Sequence, residues 1–299
     1  SDNNDILYDN FIEYLNGYSE NIRDVLRNFE YYTKARKLAD NDRLLSIIER
    51  ITDPRINLTD KNTIDPDGLP LPALTNVGMG TVFEELLRRF NEENNEEAGE
   101  HFTPRDAISL LAHLVFEPVK EDLPKIITLY DPACGSGGML TESREYLLDL
   151  GVRSAAIQLS GTEINPETYA ICKSDLIIKG VDPSGIHWGN TITDNSFSDK
   201  SFGYMITNPP YGKSWKEDKK KIYHEKMLLD HRFELTLTNY IGEEEVLDST
   251  PRTSDGQLLF LLEEVDKMKP LEFQPQGSRI ASIHNGSSLF TGDAGSGES

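Results

Sequence analysis

Asn208-Pro209-Pro210-Tyr211 directly follows the apolar run Phe202 to Thr207, so the chain reads as a strand ending in a rigid turn rich in hydrogen-bond acceptors. Such a turn suits methylation of an exocyclic amine. An aromatic amine such as adenine N6 is a weak nucleophile because its lone pair is delocalised into the ring, and two aligned acceptors on its N–H groups draw that pair back onto nitrogen. The Asn208 side-chain oxygen is one acceptor and the Pro209 carbonyl the other. Consecutive prolines fix φ and contribute no N–H, so the carbonyl between them is held stiffly. Tyr211 offers a face on which a base flipped out of a duplex can stack. The plain alternative is a strand-closing turn, since Asn and Pro both favour turns. By chance the tetrapeptide occurs in roughly one chain in a thousand of this length, so its meaning depends on a methyl-donor site upstream.

That donor site has candidates in order along the chain. Asp131-Pro132-Ala133-Cys134-Gly135-Ser136-Gly137-Gly138 follows an apolar strand and opens a helix, a geometry in which glycines let a ligand approach the backbone and its N–H groups. An ordinary tight turn is the structural alternative, and a dinucleotide is the rival ligand. Gly135 to Leu140 lacks the last glycine of the dinucleotide fingerprint, and no Gly-Lys-Ser/Thr follows for a phosphate loop. Glu163, at the end of the next strand, can accept from both hydroxyls of a ribose, whether of NAD or of S-adenosylmethionine. Asn190, in the turn Gly189-Asn190-Thr191, can bind an adenine edge. Earlier, Glu100-His101-Phe102-Thr103-Pro104-Arg105 reads as a helix start with Thr103 at the N-cap and Pro104 in the first turn. Its free N–H groups could hold a methionine carboxylate.

The elements that must position these residues follow from periodicity. Residues 1 to about 97 read as helical: Phe11, Ile12 and Leu15, then Ile22, Val25, Leu26 and Phe29, then Leu44 to Ile51 recur at helical spacing. Four prolines and Asp67-Gly68 mark a long loop between Asp53 and Asn76, and a helix spans Val82 to Asn91 before an acidic run. Helices and short strands then alternate. Helices are expected at Thr103–Phe116, Gly138–Leu150, Pro166–Lys179 and Gln257–Met268, and strands at Ile126–Tyr130, Ala156–Glu163, Ile186–Trp188, Phe202–Thr207 and Arg279–Ile283. This pattern predicts an α/β fold, a doubly wound and mostly parallel sheet with ligands at the carboxyl ends of its strands. Lys213 to Gly256 has weak periodicity and reads as a mobile excursion.

Composition narrows the function classes. The 299 residues are 37% hydrophobic and 27% charged, with no apolar stretch of membrane-spanning length and no signal-like N-terminus. Two cysteines, Cys134 and Cys172, give no disulfide framework, which predicts a cytoplasmic protein and leaves the Asn57-Leu58-Thr59 sequon idle. No His-Glu-x-x-His or Gly-x-Ser-x-Gly pattern points to a metal or a hydrolase, and no metal is expected. The net charge of −21 is at odds with a protein that grips DNA alone, since such affinity rests on Lys and Arg at phosphates. One basic cluster, Lys213, Lys216, Lys219, Lys220, Lys221 and Lys226, follows the Asn-Pro-Pro-Tyr turn, balanced by Glu217, Asp218 and Glu225.

Taken in order, these pieces resemble the amino-methyltransferases of adenine N6 in DNA. More narrowly, Gly99 to Arg105, Asp131 to Gly138, Asn208 to Trp215 and Gly292 to Ser299 look like the methylation subunit of type I restriction-modification systems. The resemblance implies a helical assembly domain at 1–97 and an S-adenosylmethionine-dependent methyltransferase domain at 98–299. It implies cofactor contacts at Glu100, His101, Phe102, Thr103, Pro104, Arg105, Asp131, Gly135, Ser136, Gly137, Glu163 and Asn190, and a catalytic turn at Asn208, Pro209, Pro210 and Tyr211. It implies DNA as substrate, held through a separate specificity subunit, and a restriction subunit as a further partner, with no membrane. The chain departs from the family by opening without Met and by stopping where further strands would follow, which would leave Arg279–Ile283 an unpaired edge. Two other readings remain: methylation of a protein glutamine, whose amide the same turn could hold, and an assembly scaffold that no longer turns over.

Overall fold

The computed structural model describes residues 2–93 and 103–286. The chain divides into two compact units, residues 1–98 with 166–184 and residues 99–165 with 185–299.

The first unit is helical: α1 (Asp2–Asn16), α2 (Glu20–Asn28), α3 (Tyr31–Asp40), α4 (Leu44–Ile51), α5 (Asn76–Glu93) and α8 (Pro166–Ile178). The expected loop between α4 and α5 carries a small antiparallel pairing of Thr63–Ile64 with Pro70–Leu71, and α5 starts six residues earlier than Val82. The turn of that pairing closes because the Asp65 carboxylate accepts from the N–H groups of Asp67 and Leu69. Within this unit Asp24 of α2 takes a bond from the Tyr169 hydroxyl at 2.7 Å and pairs with the buried Lys173 ammonium at 2.8 Å, both on α8.

The second unit is built on a five-stranded parallel sheet: β1 (Ile127–Asp131), β2 (Ile157–Glu163), β3 (Ile186–Trp188), β4 (Tyr204–Thr207) and β5 (Arg279–Ser282), ordered β5-β4-β1-β2-β3. β1 and β4 are apolar and buried almost throughout, as parallel strands covered on both faces must be, and each large side chain buried there contributes about 1.5–3 kcal/mol. From β1 the chain winds outward to β2 and β3, then returns to the other side of β1 as β4. The order therefore reverses between β1 and β4, and a doubly wound sheet opens a crevice at the carboxyl ends of the strands flanking such a reversal. β5 pairs with β4 on one side and is an edge strand among the described residues.

Among the described residues this unit also holds the α-helices α6 (Arg105–Phe116), α7 (Gly138–Asp149), the single turn α9 (Thr191–Asp194), α10 (Lys216–Ile222) and α11 (Gln257–Asp266). The segment Lys213 to Gly256, expected as a mobile excursion of weak periodicity, carries regular elements of its own. It holds α10, two antiparallel hairpins (Tyr223–His224 with Met227–Leu228, Glu234–Thr238 with Glu244–Asp248) and its own core, in which Trp215, Ile222 and Phe233 pack with Ile192, Leu259 and Phe260. Three buried anchors at irregular spacing carry no periodic signal. Arg232 locks the segment further: its buried guanidinium bonds Asp230, Glu263 and the carbonyls of Thr191 and Ile192. Tyr130 of β1 donates to the other oxygen of Glu263 at 3.0 Å, so the network reaches the central strand.

Candidate methyltransferase site

The turn after β1 is held by the backbone around it. Gly135 and Gly137 adopt φ of +55° and +88°, a region that disfavours a side chain, and so the loop can double back into α7. Cys134 N–H donates to the Thr162 carbonyl at 3.0 Å, seating the loop on β2, where Gly161 leaves room for it. A Cβ at Gly161 would lie 2.9 Å from the Cys134 Cβ.

Glu163 ends β2 directly beside this loop. One of its oxygens accepts from Gly135 N–H at 3.0 Å and the other from Asn165 N–H at 2.7 Å, so two backbone donors orient the carboxylate. Next to it Ile164 and Trp188 are 61% and 59% exposed, large apolar side chains presented to solvent at strand ends. Trp188 Nε1 donates to the Ile164 carbonyl at 3.0 Å, which fixes the indole. A ribose on Glu163, an adenine against Ile164 and Trp188, and close backbone approach at Gly135 and Gly137 are what a nucleoside sulfonium needs. The residues present fit S-adenosylmethionine. Ile164 and Trp188 escaped sequence reasoning because an Ile and a Trp at strand ends look like core, and only their exposure marks them.

Asn190 does not stand free beside them. Its side-chain oxygen accepts from Ile192 N–H at 2.9 Å as the N-cap of α9, and its amide donates to Asp218 of α10 at 2.8 Å. Asp194 takes the Asn190 backbone N–H at 2.7 Å, tightening the same turn.

The second turn lies across the reversal point. Asn208 follows β4, with Pro209 buried and Pro210 and Tyr211 at the surface. The two turns are joined through Asp131 and Thr207: the Thr207 hydroxyl donates to Asp131 Oδ1 at 2.6 Å, and Ala133 N–H donates to the same oxygen at 3.0 Å. Asp131 is buried, and burial pushes its carboxyl up to about 7, with the Glu163 charge adding to the rise. Glu264, fully buried on α11 with neither oxygen bonded, is raised well above the usual carboxylate range, by burial first and then by Asp131 and Glu263.

Thr103 takes a place that the sequence did not suggest. The residue before the first turn of α6 is Pro104, whose carbonyl accepts from Ile108 N–H at 3.1 Å, and the helix starts at Arg105. Thr103 is therefore one residue too early to cap it. Its hydroxyl instead accepts from Asn208 Nδ2 at 3.0 Å. The Tyr211 hydroxyl donates to Asn208 Oδ1 and lies 3.3 Å from the Ile283 carbonyl. Arg105 reaches Glu142 at 3.5 Å, while Glu100, His101 and Phe102 lie outside the described residues. In the basic cluster, Lys220 pairs with Glu217 at 2.6 Å and Lys219 lies over the rings of Trp215 and Tyr223, while Lys216, Lys221 and Lys226 are exposed.

Residues 76–242, more than half the chain and spanning both turns, match the family model for N-6 DNA methylases. The chain belongs to the N-6 DNA methylase family. The chain is similar to the MjaIX type I restriction enzyme methylase subunit of Methanocaldococcus jannaschii, 30% identical over 46% of this chain and 23% of the relative. It is similar also to the HindI methylase subunit of Haemophilus influenzae, 25% identical over 59% and 41%, and to the MpnII methylase subunit of Mycoplasma pneumoniae, 28% identical over 60% and 32%. It thus spans between about a quarter and two-fifths of the length of these relatives. The fold matches the type I restriction-modification methyltransferase subunit of Streptococcus thermophilus with a TM-score of 0.53 at 23% identity, covering 73% of this chain and 41% of that one. A chain from a structural study of type I system assembly gives 0.51 at 24% identity over 73% and 39%. The fold also matches a class I S-adenosylmethionine-dependent methyltransferase from Listeria monocytogenes, with a TM-score of 0.51 at 15% identity over 74% of this chain and 57% of that one.

Proposed function

We propose that the chain transfers a methyl group from S-adenosylmethionine to adenine N6 in DNA, as the modification subunit of a type I restriction-modification complex. The observation that carries this reading is the Thr207–Asp131 bond, which ties the Asn208 turn to the glycine turn across the reversal of the sheet. Donor and acceptor halves then share one crevice, and orientation of that kind is the main contribution an enzyme makes to a methyl donor that is already activated.

Gly135, Ser136, Gly137 and Glu163 would hold the cofactor with Asp131 behind them, Ile164 and Trp188 would flank its adenine, and the 100–105 segment and Asn190 would complete the pocket. When bound, S-adenosylmethionine supplies an electrophilic methyl group on its sulfonium. Asn208 Oδ1 accepts one N–H of a flipped adenine and the Pro209 carbonyl the other, which returns the lone pair to N6 and aims it. Pro210 keeps that carbonyl rigid, and the Tyr211 ring supports the base. Burial raises the Tyr211 hydroxyl above its ordinary value, so at neutral pH it stays protonated and donates.

The net charge of −21 fits a subunit whose DNA is gripped by a specificity partner, with a restriction subunit completing the complex. Residues 1–97 would form the helical assembly domain and 98–299 the methyltransferase domain. Among the described residues no helix is long and apolar enough to cross a membrane, and we place the protein in the cytoplasm. The test is transfer of labelled methyl groups by the chain together with its specificity partner. Label in N6-methyladenine, abolished by Asn208→Ala, is expected; label found only in protein glutamine would replace this reading.

A further inference from the structure

We propose that the hairpin Glu234–Thr238 with Glu244–Asp248 is a docking surface for a basic protein partner, and that this partner is the subunit that grips DNA. The inference rests on the reading of the chain as one subunit of a DNA-modifying complex, because that reading supplies a partner rich in Lys and Arg.

The hairpin is regular, yet no described residue buries it. Its strands pair over five positions, from Glu234 with Asp248 to Thr238 with Glu244. The turn closes on Asn239, whose Oδ1 accepts from the N–H groups of Ile241 and Glu243. At the base, Ser249 N–H donates to the carbonyl of the buried Phe233 at 2.9 Å. All ten strand residues are nonetheless exposed. Residues directly opposite each other in an antiparallel pair share a face, so the register sorts the side chains into two sets. Leu235, Leu237, Leu247 and Glu245 lie on one face, and Glu234, Thr236, Thr238, Glu244, Val246 and Asp248 on the other. The first face is apolar at three of its four positions, and the tip adds Ile241 and Tyr240, which is 99% exposed. Such alternation is the pattern of a sheet covered on one side, and a bare two-stranded hairpin is marginal in water.

Charge selects the cover. Glu234, Glu243, Glu244, Glu245 and Asp248 are acidic, and no Lys, Arg or His lies between Glu234 and Asp248. DNA phosphates are repelled from such a surface. The run from Lys213 to Lys226, with six lysines against three acidic residues, is the part of this segment that suits them. A second copy docked through the same face about a two-fold axis would set these carboxylates against one another. Residues 94–102 and 287–299 contain no Lys or Arg, so they do not supply the complement either. A protein surface that presents aliphatic side chains ringed by Lys and Arg meets both requirements, burying the three leucines while pairing the carboxylates at their rim.

The experiment measures calorimetric binding of the full-length protein to its purified specificity partner without DNA, at salt concentrations of about 50 mM and about 400 mM. Leu235→Thr with Leu237→Thr keeps strand propensity and removes apolar area. Glu243→Gln with Glu244→Gln and Glu245→Gln keeps shape and removes charge. The threonine pair should weaken binding about 10- to 100-fold at both salt concentrations. The glutamine set should weaken it about tenfold at low salt and less than about threefold at high salt. Affinity for S-adenosylmethionine should stay within about twofold of wild type in both variants. Amide exchange over residues 234–248 checks that the hairpin persists, and the glutamine set decides alone if the threonine pair melts it. Variants that bind like wild type would overturn the proposal, as would tighter binding by the glutamine set or no binding by wild type. A dimer of the chain alone that the threonine pair abolishes would give the face to a second copy. Loss of affinity for duplex DNA without the partner would give it to DNA, and either result overturns the proposal. A complex that assembles as expected but methylates no adenine would sink the function proposed above and leave the docking result standing.

Discussion

Asp131 offers a direct measurement of how tightly the two turns are packed together. Its carboxyl is buried, keeps bonds to Thr207 and Ala133 through one oxygen, has no partner at the other, and is raised from 3.8 to about 7. A carboxyl raised on folding makes the folded state bind the extra proton, so its contribution to stability is intact below about 3.8 and is lost as pH rises toward 7. The whole difference corresponds to about 4 kcal/mol, of which about 2 kcal/mol falls between pH 5.5 and 7. Asp131→Asn removes the titration while keeping an oxygen for Thr207 and Ala133. It also removes a charge that Glu264 feels, which acts in the same direction. Urea unfolding at pH 5.5 to 8.5, above the sequence pI of 4.7, reads the effect. Both tryptophans, Trp188 and Trp215, lie in the same unit as Asp131, so their fluorescence follows it. Wild type should lose about 2 kcal/mol more than the variant across that range, nearly all of it below pH 7.5. Curves parallel to within about 0.5 kcal/mol would show that Asp131 is ionised normally and that the packing argument is wrong.

Two further outcomes bear on the site and its surroundings. Gly161→Ala would bring a Cβ within 2.9 Å of the Cys134 Cβ and 3.2 Å of Leu140 Cδ1, displacing the glycine loop; calorimetry should show S-adenosylmethionine affinity reduced about tenfold, or about 1.4 kcal/mol. Trp215→Ala removes a side chain only 1% exposed, together with the bond from Nε1 to the Arg252 carbonyl at 2.9 Å, and should destabilise the fold by about 3–5 kcal/mol, with amide exchange rising first between residues 216 and 250.

The two turns of the candidate site were legible in the sequence because each is written in contiguous words. Asn208-Pro209-Pro210-Tyr211 and the run from Asp131 to Gly138 each need adjacent residues to shape one turn, and the apolar strands before them fix where those turns sit. The alternation of helices and strands likewise follows from local periodicity, and all five sheet strands fall where it places them, to within a residue or two. Three things were decided only in three dimensions. The segment from Lys213 to Gly256 looked featureless because its anchors, Trp215, Ile222 and Phe233, obtain their meaning from packing with Ile192, Leu259 and Phe260. Ile164 and Trp188 became cofactor candidates only through their exposure beside Glu163, which no spacing reveals. Thr103 seemed to be a helix cap, and the tertiary fold instead gave its hydroxyl to Asn208. A sequence fixes which groups the backbone can present locally. Which distant group a hydroxyl or an amide meets depends on the pairing of β1 with β4, and that pairing is a property of the folded sheet.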